Sequence, residues 1–172
     1  SQKKSDNHGT VFGVDADKIS VLIHPQSIVH SLVEFADGSI KAQLGMPDMR
    51  LPIQYALTFP YRFDCPAPKF DFLNYPQLTF EQPNREVFRN LDIAFEAMRC
   101  GGNVACIMNG ANEVAVAEFL KGNISFLAMS DLIENTIEKC TIISSPSFDD
   151  YFESDAEARR IAYEIIKGRY GK

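Results

Sequence analysis

The chain lacks a basic excess, a long apolar run and a close pair of cysteines. Its 17 Lys and Arg are outnumbered by 23 Asp and Glu, for a formal net charge of −6. A nucleic-acid or anionic-membrane partner needs a basic patch and is therefore not expected. No run approaches the roughly 18 apolar residues that span a bilayer, and the start SQKKSDNHG lacks the apolar core of a signal peptide, which predicts a cytoplasmic protein.

The sequence also lacks the short motifs that identify common active sites. It contains no Walker loop, GxGxxG, GxSxG or HExxH, and its cysteines are too widely spaced for a zinc or redox pair. Those four residues, expected as buried reduced thiols, are Cys65, Cys100, Cys106 and Cys140. A composition of 45% hydrophobic and 23% charged residues is typical of an ordinary globular protein.

Alternating apolar and polar residues in the first third predict a β-hairpin. Two β-branched runs, 28–35 and 40–44, flank the sequence ADGS, and Asp37-Gly38 suits a two-residue type I′ turn. Such a turn pairs Glu34 with Lys41. It places Val29, Ser31, Val33, Phe35, Ile40, Ala42 and Leu44 on one face, and His30, Leu32, Glu34, Lys41 and Gln43 on the other. His30 is then expected on the polar face of a half-buried hairpin.

A proline- and aromatic-rich segment, 60–83, separates this hairpin from a helical half. Each proline removes a backbone donor and favours extended geometry in the residue before it, so an extended connector is expected. The expected helices cover 84–100, 103–120, about 128–140 and a segment that opens at a capping box of Ser154 and Glu157. Their apolar stripes include Val87, Leu91, Phe95 and Met98 in the first helix and Ala158, Ile161, Ala162 and Ile165 in the last. The sequence thus predicts an α+β protein with a C-terminal four-helix bundle.

Two histidines, His24 and His30, lie six residues apart and permit three interpretations. They could form a metal pair, although the spacing matches no recognised ligand motif. His30 could instead meet an anionic ligand beside Lys41 and Gln43, or belong to a solvated sheet face.

Other polar residues also permit more than one interpretation. Arg50 could clamp a phosphate, cap the following helical segment or pair with Asp48. Asn112 and Glu113 are expected to cap a helix N-terminus. Taken alone, these residues leave no complete active site.

Three stretches carry a resemblance to a known family. LIHPQSIVHSLVEFADGSIKAQLGMPDMRLPIQYALTFPYR, FDFLNYPQLTFE and NGANEVAVAEFLKGNISF closely resemble, in order and spacing, the C-terminal portion of the 1-deoxy-D-xylulose 5-phosphate reductoisomerases. The similarity extends from about Val11 to Lys172. It implies a homodimer that uses NADPH and Mn²⁺ or Mg²⁺ to convert a phosphorylated sugar, 1-deoxy-D-xylulose 5-phosphate, to 2-C-methyl-D-erythritol 4-phosphate in non-mevalonate isoprenoid biosynthesis.

The same resemblance implies which residues form the site. His30 is similar to the family's active-site histidine, and Pro47 and Met49 are similar to residues that line the nicotinamide and substrate side. The family's metal ligands are expected upstream, and Lys4 stands where a ligand glutamate should be. The chain alone is therefore expected to be inactive, with no bound NADPH or metal.

The resemblance also suggests a domain division. Residues 1–10 resemble a tag or foreign leader, 11–59 the end of a catalytic and dimerisation domain, 60–83 a connector and 84–172 a helical domain. Two alternatives stay open: an autonomous, non-enzymatic interaction module, and a small metallohydrolase that uses both histidines. Metal bound by the isolated chain would favour the hydrolase.

Overall fold

The computed structural model describes residues 14–169, so the expected leader and Lys4 lie outside the described residues. It comprises a 3₁₀ helix Ala16–Lys18, strands β1 (Val29–Glu34) and β2 (Ile40–Leu44), and helices α1 (Arg50–Thr58), α2 (Arg89–Cys100), α3 (Val104–Leu120), α4 (Phe126–Lys139) and α5 (Phe148–Arg169). This confirms the α+β class. The described residues form two compact units, 21–83 and 14–20 with 84–169. No helix within 14–169 has the length and apolarity to cross a membrane.

The hairpin forms, but its register differs by one residue from the expected pairing. Val33 pairs with Lys41, and Glu34 with Ile40. The cause is the turn: the Phe35 N–H donates to Ser39 O at 2.9 Å, which leaves three loop residues rather than two. Only Gly38 in this loop has a positive φ, of 82°, whereas a type I′ turn needs two such residues.

The register shift redistributes the apolar side chains over both faces. Val33 shares its face with Lys41, whose ammonium lies 5.5 Å from the centre of the Phe35 ring. Leu32 and Ile40 lie on the opposite face, so the expected single apolar face is wrong. Val33 and Ile40 are 56% and 60% exposed, and neither face is covered within the described residues.

The segment between α1 and α2 contains neither a helix nor a strand ladder. Its prolines lack the backbone N–H groups that both structures need. Its one described β-bridge joins Glu81 to Ile23, through two N–H···O bonds of 2.9 Å. This bridge holds the end of the segment beside the residues that precede β1.

The core of the helical unit lies among α2, α3, α4 and α5. It comprises Ile93, Ile107, Ala111, Val114, Ala115, Ile124, Ala128, Met129, Leu132, Ile133, Cys140, Ala158, Ile161, Ala162 and Ile165. The expected stripe of α5 is confirmed by these contacts. That of α2 is confirmed in part: Phe95 is buried, beside Arg85 and Arg99, and Leu91 and Met98 are half-buried. Val87, however, precedes the helix and is 45% exposed, and the expected stripe omits the core residue Ile93.

The last helix begins before the expected capping box. Ser147 and Asp150 cap α5 reciprocally: the Ser147 N–H donates to Asp150 Oδ2 at 2.7 Å and the Asp150 N–H to Ser147 Oγ at 3.2 Å. Ser154 is instead buried within α5, where its hydroxyl accepts from Asn103 Nδ2 at 2.9 Å. The same pattern, a serine followed three residues later by an acidic residue, occurs at Ser147 and at Ser154. The apolar periodicity of the sequence does not indicate which of the two begins the helix.

Asn112 and Glu113 also differ from their expected capping role, since both lie in the middle of α3. Glu113 Oε2 accepts from Arg159 Nη2 of α5 at 2.6 Å, and this guanidinium lowers the carboxyl pKa of Glu113. The pair joins two helices that are distant in sequence.

Candidate functional site

His30 occupies an irregular position in β1. Val29 pairs with Leu44 and Ser31 with Gln43, so His30 is the extra residue of a β-bulge. Bulges re-aim a side chain and are frequent beside active sites. Its Nε2 lies 3.1 Å from Gly45 O. Because a carbonyl oxygen only accepts, Nε2 carries a hydrogen in this contact.

The contact links His30 to the loop that carries the other two expected site residues. Gly45 is buried, and its N–H donates to the carbonyl of the fully buried Ile28 at 3.0 Å. Pro47 follows two residues later and is exposed, and Met49 is 70% exposed. One end of the hairpin therefore holds a fixed imidazole next to a loop with exposed apolar side chains.

Asp48 and Arg50 form a tight ion pair in this loop. Arg50 Nε donates to Asp48 Oδ1 at 3.0 Å, and Nη2 donates to Oδ2 at 2.5 Å. The hydrogen bonds from Arg50 lower the pKa of Asp48 to about 2. Of the three expected roles of Arg50, the structure shows the pairing with Asp48. The guanidinium of Arg50 donates hydrogen bonds to both oxygens of that carboxylate.

His24 has a different environment from His30. Its ring stacks on Phe80 with centroids 4.6 Å apart, and Nδ1 donates to Thr79 O at 2.7 Å. The two histidines therefore engage separate partners.

The described residues do not supply a metal centre of the kind the family resemblance implies. Within 14–169 no group of three or more His, Cys, Asp or Glu side chains is placed to hold an ion. Neither His24 nor His30 belongs to such a group.

The thiols differ in burial, although the sequence predicts four buried ones. Cys140 is buried, and burial raises its pKa to about 11. Burial also raises the pKa of Cys106, whose Sγ donates to Tyr151 O at 3.3 Å. A thiol with a raised pKa is rarely a thiolate near neutral pH, so these two are poor nucleophiles. Cys100 is exposed at the end of α2, which corrects its expected burial, and Cys65 is half-buried.

The residue that the sequence patterns do not reveal is Gly45. Its carbonyl holds His30, yet a glycine before a Met-Pro pair carries no polar side chain that could mark it as part of a site. The only signal is its place directly after β2, where the loop begins.

The bulged histidine and its loop lie in a chain whose family can be assigned by comparison. The model of the DXP reductoisomerase C-terminal domain matches residues 44–161, and the chain belongs to this family. The resemblance that rests on the IHPQS and LGMPDMR sequences is confirmed.

Curated relatives carry one name. The 1-deoxy-D-xylulose 5-phosphate reductoisomerase of Bacteroides thetaiotaomicron is 56% identical over 156 residues, and that of Chloroherpeton thalassium is 51% identical over 154. These alignments cover 91% and 90% of this chain. The chain spans about 40% of the length of either relative.

Solved structures show the same backbone arrangement. The reductoisomerase from Zymomonas mobilis, in complex with NADPH, is 43% identical with a TM-score of 0.85, over 91% of this chain and 41% of that one. A second, in complex with NADPH, fosmidomycin and magnesium, is 35% identical with the same TM-score, over 91% of this chain and 40% of that one.

Proposed function

We propose that this chain is the C-terminal portion of a reductoisomerase that uses NADPH and Mg²⁺ or Mn²⁺ to convert 1-deoxy-D-xylulose 5-phosphate to 2-C-methyl-D-erythritol 4-phosphate. The observation that carries the proposal is the 56% identity to a named reductoisomerase over 91% of the chain. The NADPH and magnesium bound by the similar solved structures support the choice of cofactors.

Within that enzyme, His30 forms one wall of the substrate pocket, together with Pro47 and Met49. His30 Nε2 donates a hydrogen bond to Gly45 O at 3.1 Å, and this bond fixes the rotation of the ring. In the neutral imidazole, Nδ1 then presents a lone pair that can accept a hydrogen bond or a proton from a bound hydroxyl. The exposed Met49 side chain supplies apolar surface beside it.

The rest of the site comes from outside the described residues. The sequence contains no glycine-rich phosphate loop, which would hold a dinucleotide, and residues 14–169 hold no metal-ligand cluster. A polypeptide of residues 1–172 is accordingly proposed to have no reductoisomerase activity and no measurable NADPH affinity.

Replacement of His30 by Gln in the full-length enzyme tests this function. We expect kcat to fall roughly 10- to 10⁴-fold, the range for a positioned acid–base or hydrogen-bonding group. Lys41→Gln is the matched control, because Lys41 is also a polar hairpin residue, is exposed and has no role in the proposed site. Kinetics of His30→Gln that equal those of the control would contradict the pocket role.

A further inference from the structure

The sequence IHPQS contains two polar side chains that the proposed reaction does not use. His24 and Gln26 lie in the turn before β1, and both reach Thr79, more than fifty residues later. His24 Nδ1 donates to Thr79 O at 2.7 Å. Gln26 Nε2 donates to Thr79 Oγ1 at 2.8 Å, and Gln26 Oε1 accepts from the Thr79 N–H at 3.2 Å.

These bonds are reinforced by a ring contact next to them. The His24 imidazole and the Phe80 ring are stacked, with an interplanar angle of 15°. We call His24, Gln26, Thr79 and Phe80 the IHPQS clamp. It ties the end of the proline-rich segment to the turn from which β1 starts.

The second nitrogen of His24 is consistent with the hydrogen bond that Nδ1 makes to Thr79. Nε2 is buried and has no hydrogen-bond partner within 14–169. The hydrogen on Nδ1 leaves only a lone pair at Nε2, which avoids burying an N–H without an acceptor. Nδ1 is meanwhile occupied by the Thr79 carbonyl.

A short path leads from the clamp to His30. Ser27 adopts a left-handed φ of 51°, and its N–H donates to His24 O at 3.0 Å. The next residue, Ile28, is fully buried, and its carbonyl accepts the Gly45 N–H. Gly45 O then contacts His30 Nε2. These contacts connect the turn to the residue that orients His30.

We propose that His24 and Gln26 are positioning residues: by binding Thr79 they fix the turn that sets the His30 bulge and its contact with Gly45. The inference rests on the proposed function, because orientation of His30 affects turnover only if His30 lines the pocket. Misplacement of a reacting group by about 1 Å can lower a rate by 10²-fold, so a remote clamp of this kind can control kcat.

Four substitutions separate the parts of the clamp. His24→Phe keeps a ring to stack on Phe80 and removes the Nδ1 donor. His24→Asn keeps a donor near the Nδ1 position and removes the ring. Gln26→Leu removes both polar atoms at similar size, and Gln77→Ala is a control in the same segment, outside the clamp and exposed.

The first measurement is the ¹⁵N spectrum of the His30 imidazole in the 172-residue chain, which reports the tautomer. We expect one dominant Nε2–H form in the wild type and the Gln77→Ala control. His24→Phe and Gln26→Leu should shift His30 toward the mixed tautomers of a free imidazole, and His24→Asn should restore much of the wild-type spectrum. An unchanged His30 spectrum in both disruptive variants would overturn the inference, even if their melting temperatures fall.

The second measurement is steady-state kinetics of the full-length enzyme. We expect kcat to fall roughly 10- to 10²-fold in His24→Phe and Gln26→Leu, with little change in the KM for NADPH. A changed His30 spectrum with unchanged kcat would leave the clamp supported and contradict the pocket role of His30, so the two proposals fail in distinguishable ways.

Discussion

At the scale of single residues, the orientation of the His30 ring and the pKa of Asp48 are each set by one neighbouring residue. His30 is oriented by the carbonyl of Gly45, and Asp48 is held by the guanidinium of Arg50. Neither partner is far in sequence, yet the contacts depend on the bulge and on the loop after β2. The chemistry of these side chains is therefore set by local backbone geometry.

The Asp48 carboxyl should titrate far below an ordinary aspartate. Its folded-state pKa of about 2 lies below the usual 3.8, so its stabilising contribution is present above about pH 4 and is lost as the pH falls through about 2. Side-chain ¹³C shifts followed between pH 6 and 1.5 should give a midpoint near 2, and Arg50→Gln should raise it toward 3.8. A wild-type midpoint near 3.8 would show that the ion pair does not persist in solution.

At the scale of elements, the junction of α2 and α3 shows how tightly the helices are joined. Asn103 is fully buried at this junction, and its Oδ1 accepts from the Ile143 N–H at 2.9 Å while its own backbone N–H donates to Ile143 O at 3.1 Å. The segment between α4 and α5 is thus fastened to the start of α3. Gly102, directly before Asn103, makes that close approach possible, and Gly101 precedes it.

Those glycines should differ in their tolerance of a side chain. Gly101 and Gly102 both have positive φ, 67° and 58°, so an alanine at either is strained by about 1–3 kcal/mol. A Cβ on Gly102 would also lie 2.2 Å from Ile143 O, whereas one on Gly101 meets nothing within 4 Å. Gly102→Ala should therefore cost about 1–3 kcal/mol more than Gly101→Ala, the cost of displacing a bonded backbone group. Equal urea midpoints for the two variants would contradict this close approach.

At the scale of the whole molecule, the two units differ in how completely each buries its own apolar side chains. The helical unit buries fifteen residues in one core. The hairpin of the other unit has apolar side chains exposed on both faces, and a lone two-stranded hairpin is marginal in water. The helical unit is therefore the better candidate for independent folding, as the proposed division near residue 83 requires.

A polypeptide of residues 78–172 should unfold in one cooperative transition. Leu132→Ala, which truncates a core side chain only 1% exposed, should cost about 2–5 kcal/mol, a large part of a small domain's stability. Leu127→Ala in the same helix is the control, because Leu127 is 66% exposed and surface changes cost within about 0.5 kcal/mol. A gradual denaturant curve for the unsubstituted polypeptide would mean that the helices depend on the preceding residues.

The exposed hairpin should take part in a homodimer. The Val33 face and the Ile40 face both offer apolar surface, and a second copy is the partner proposed from the family resemblance. Sedimentation at micromolar concentration should show twice the 19.3 kDa chain mass, and either Val33→Glu or Ile40→Glu should weaken association according to which face is covered. Lys167→Gln, at an exposed position of α5 outside the hairpin, serves as the control. A species of 19.3 kDa at every concentration would rule out dimerisation of this chain.

The sequence by itself determined the family, the α+β class, the hairpin and the helical half. These follow from apolar periodicity, glycine and proline positions and the order of the IHPQS and LGMPDMR motifs, all of which are local or collinear. The family resemblance singled out His30 as the site histidine, although it left the partners of both histidines open.

Only the tertiary structure decided the hairpin register, the start of α5 and the partners of the buried polar groups. The sequence DG permits a two-residue or a three-residue turn, and the extra residue moves the side chains of β2 to the opposite face relative to those of β1. S-x-x-acid occurs at Ser147 and at Ser154, and only the second serine is buried, where its hydroxyl accepts a hydrogen bond from Asn103, fifty-one residues away. Contacts across such separations depend on how helices pack, and no local pattern specifies them.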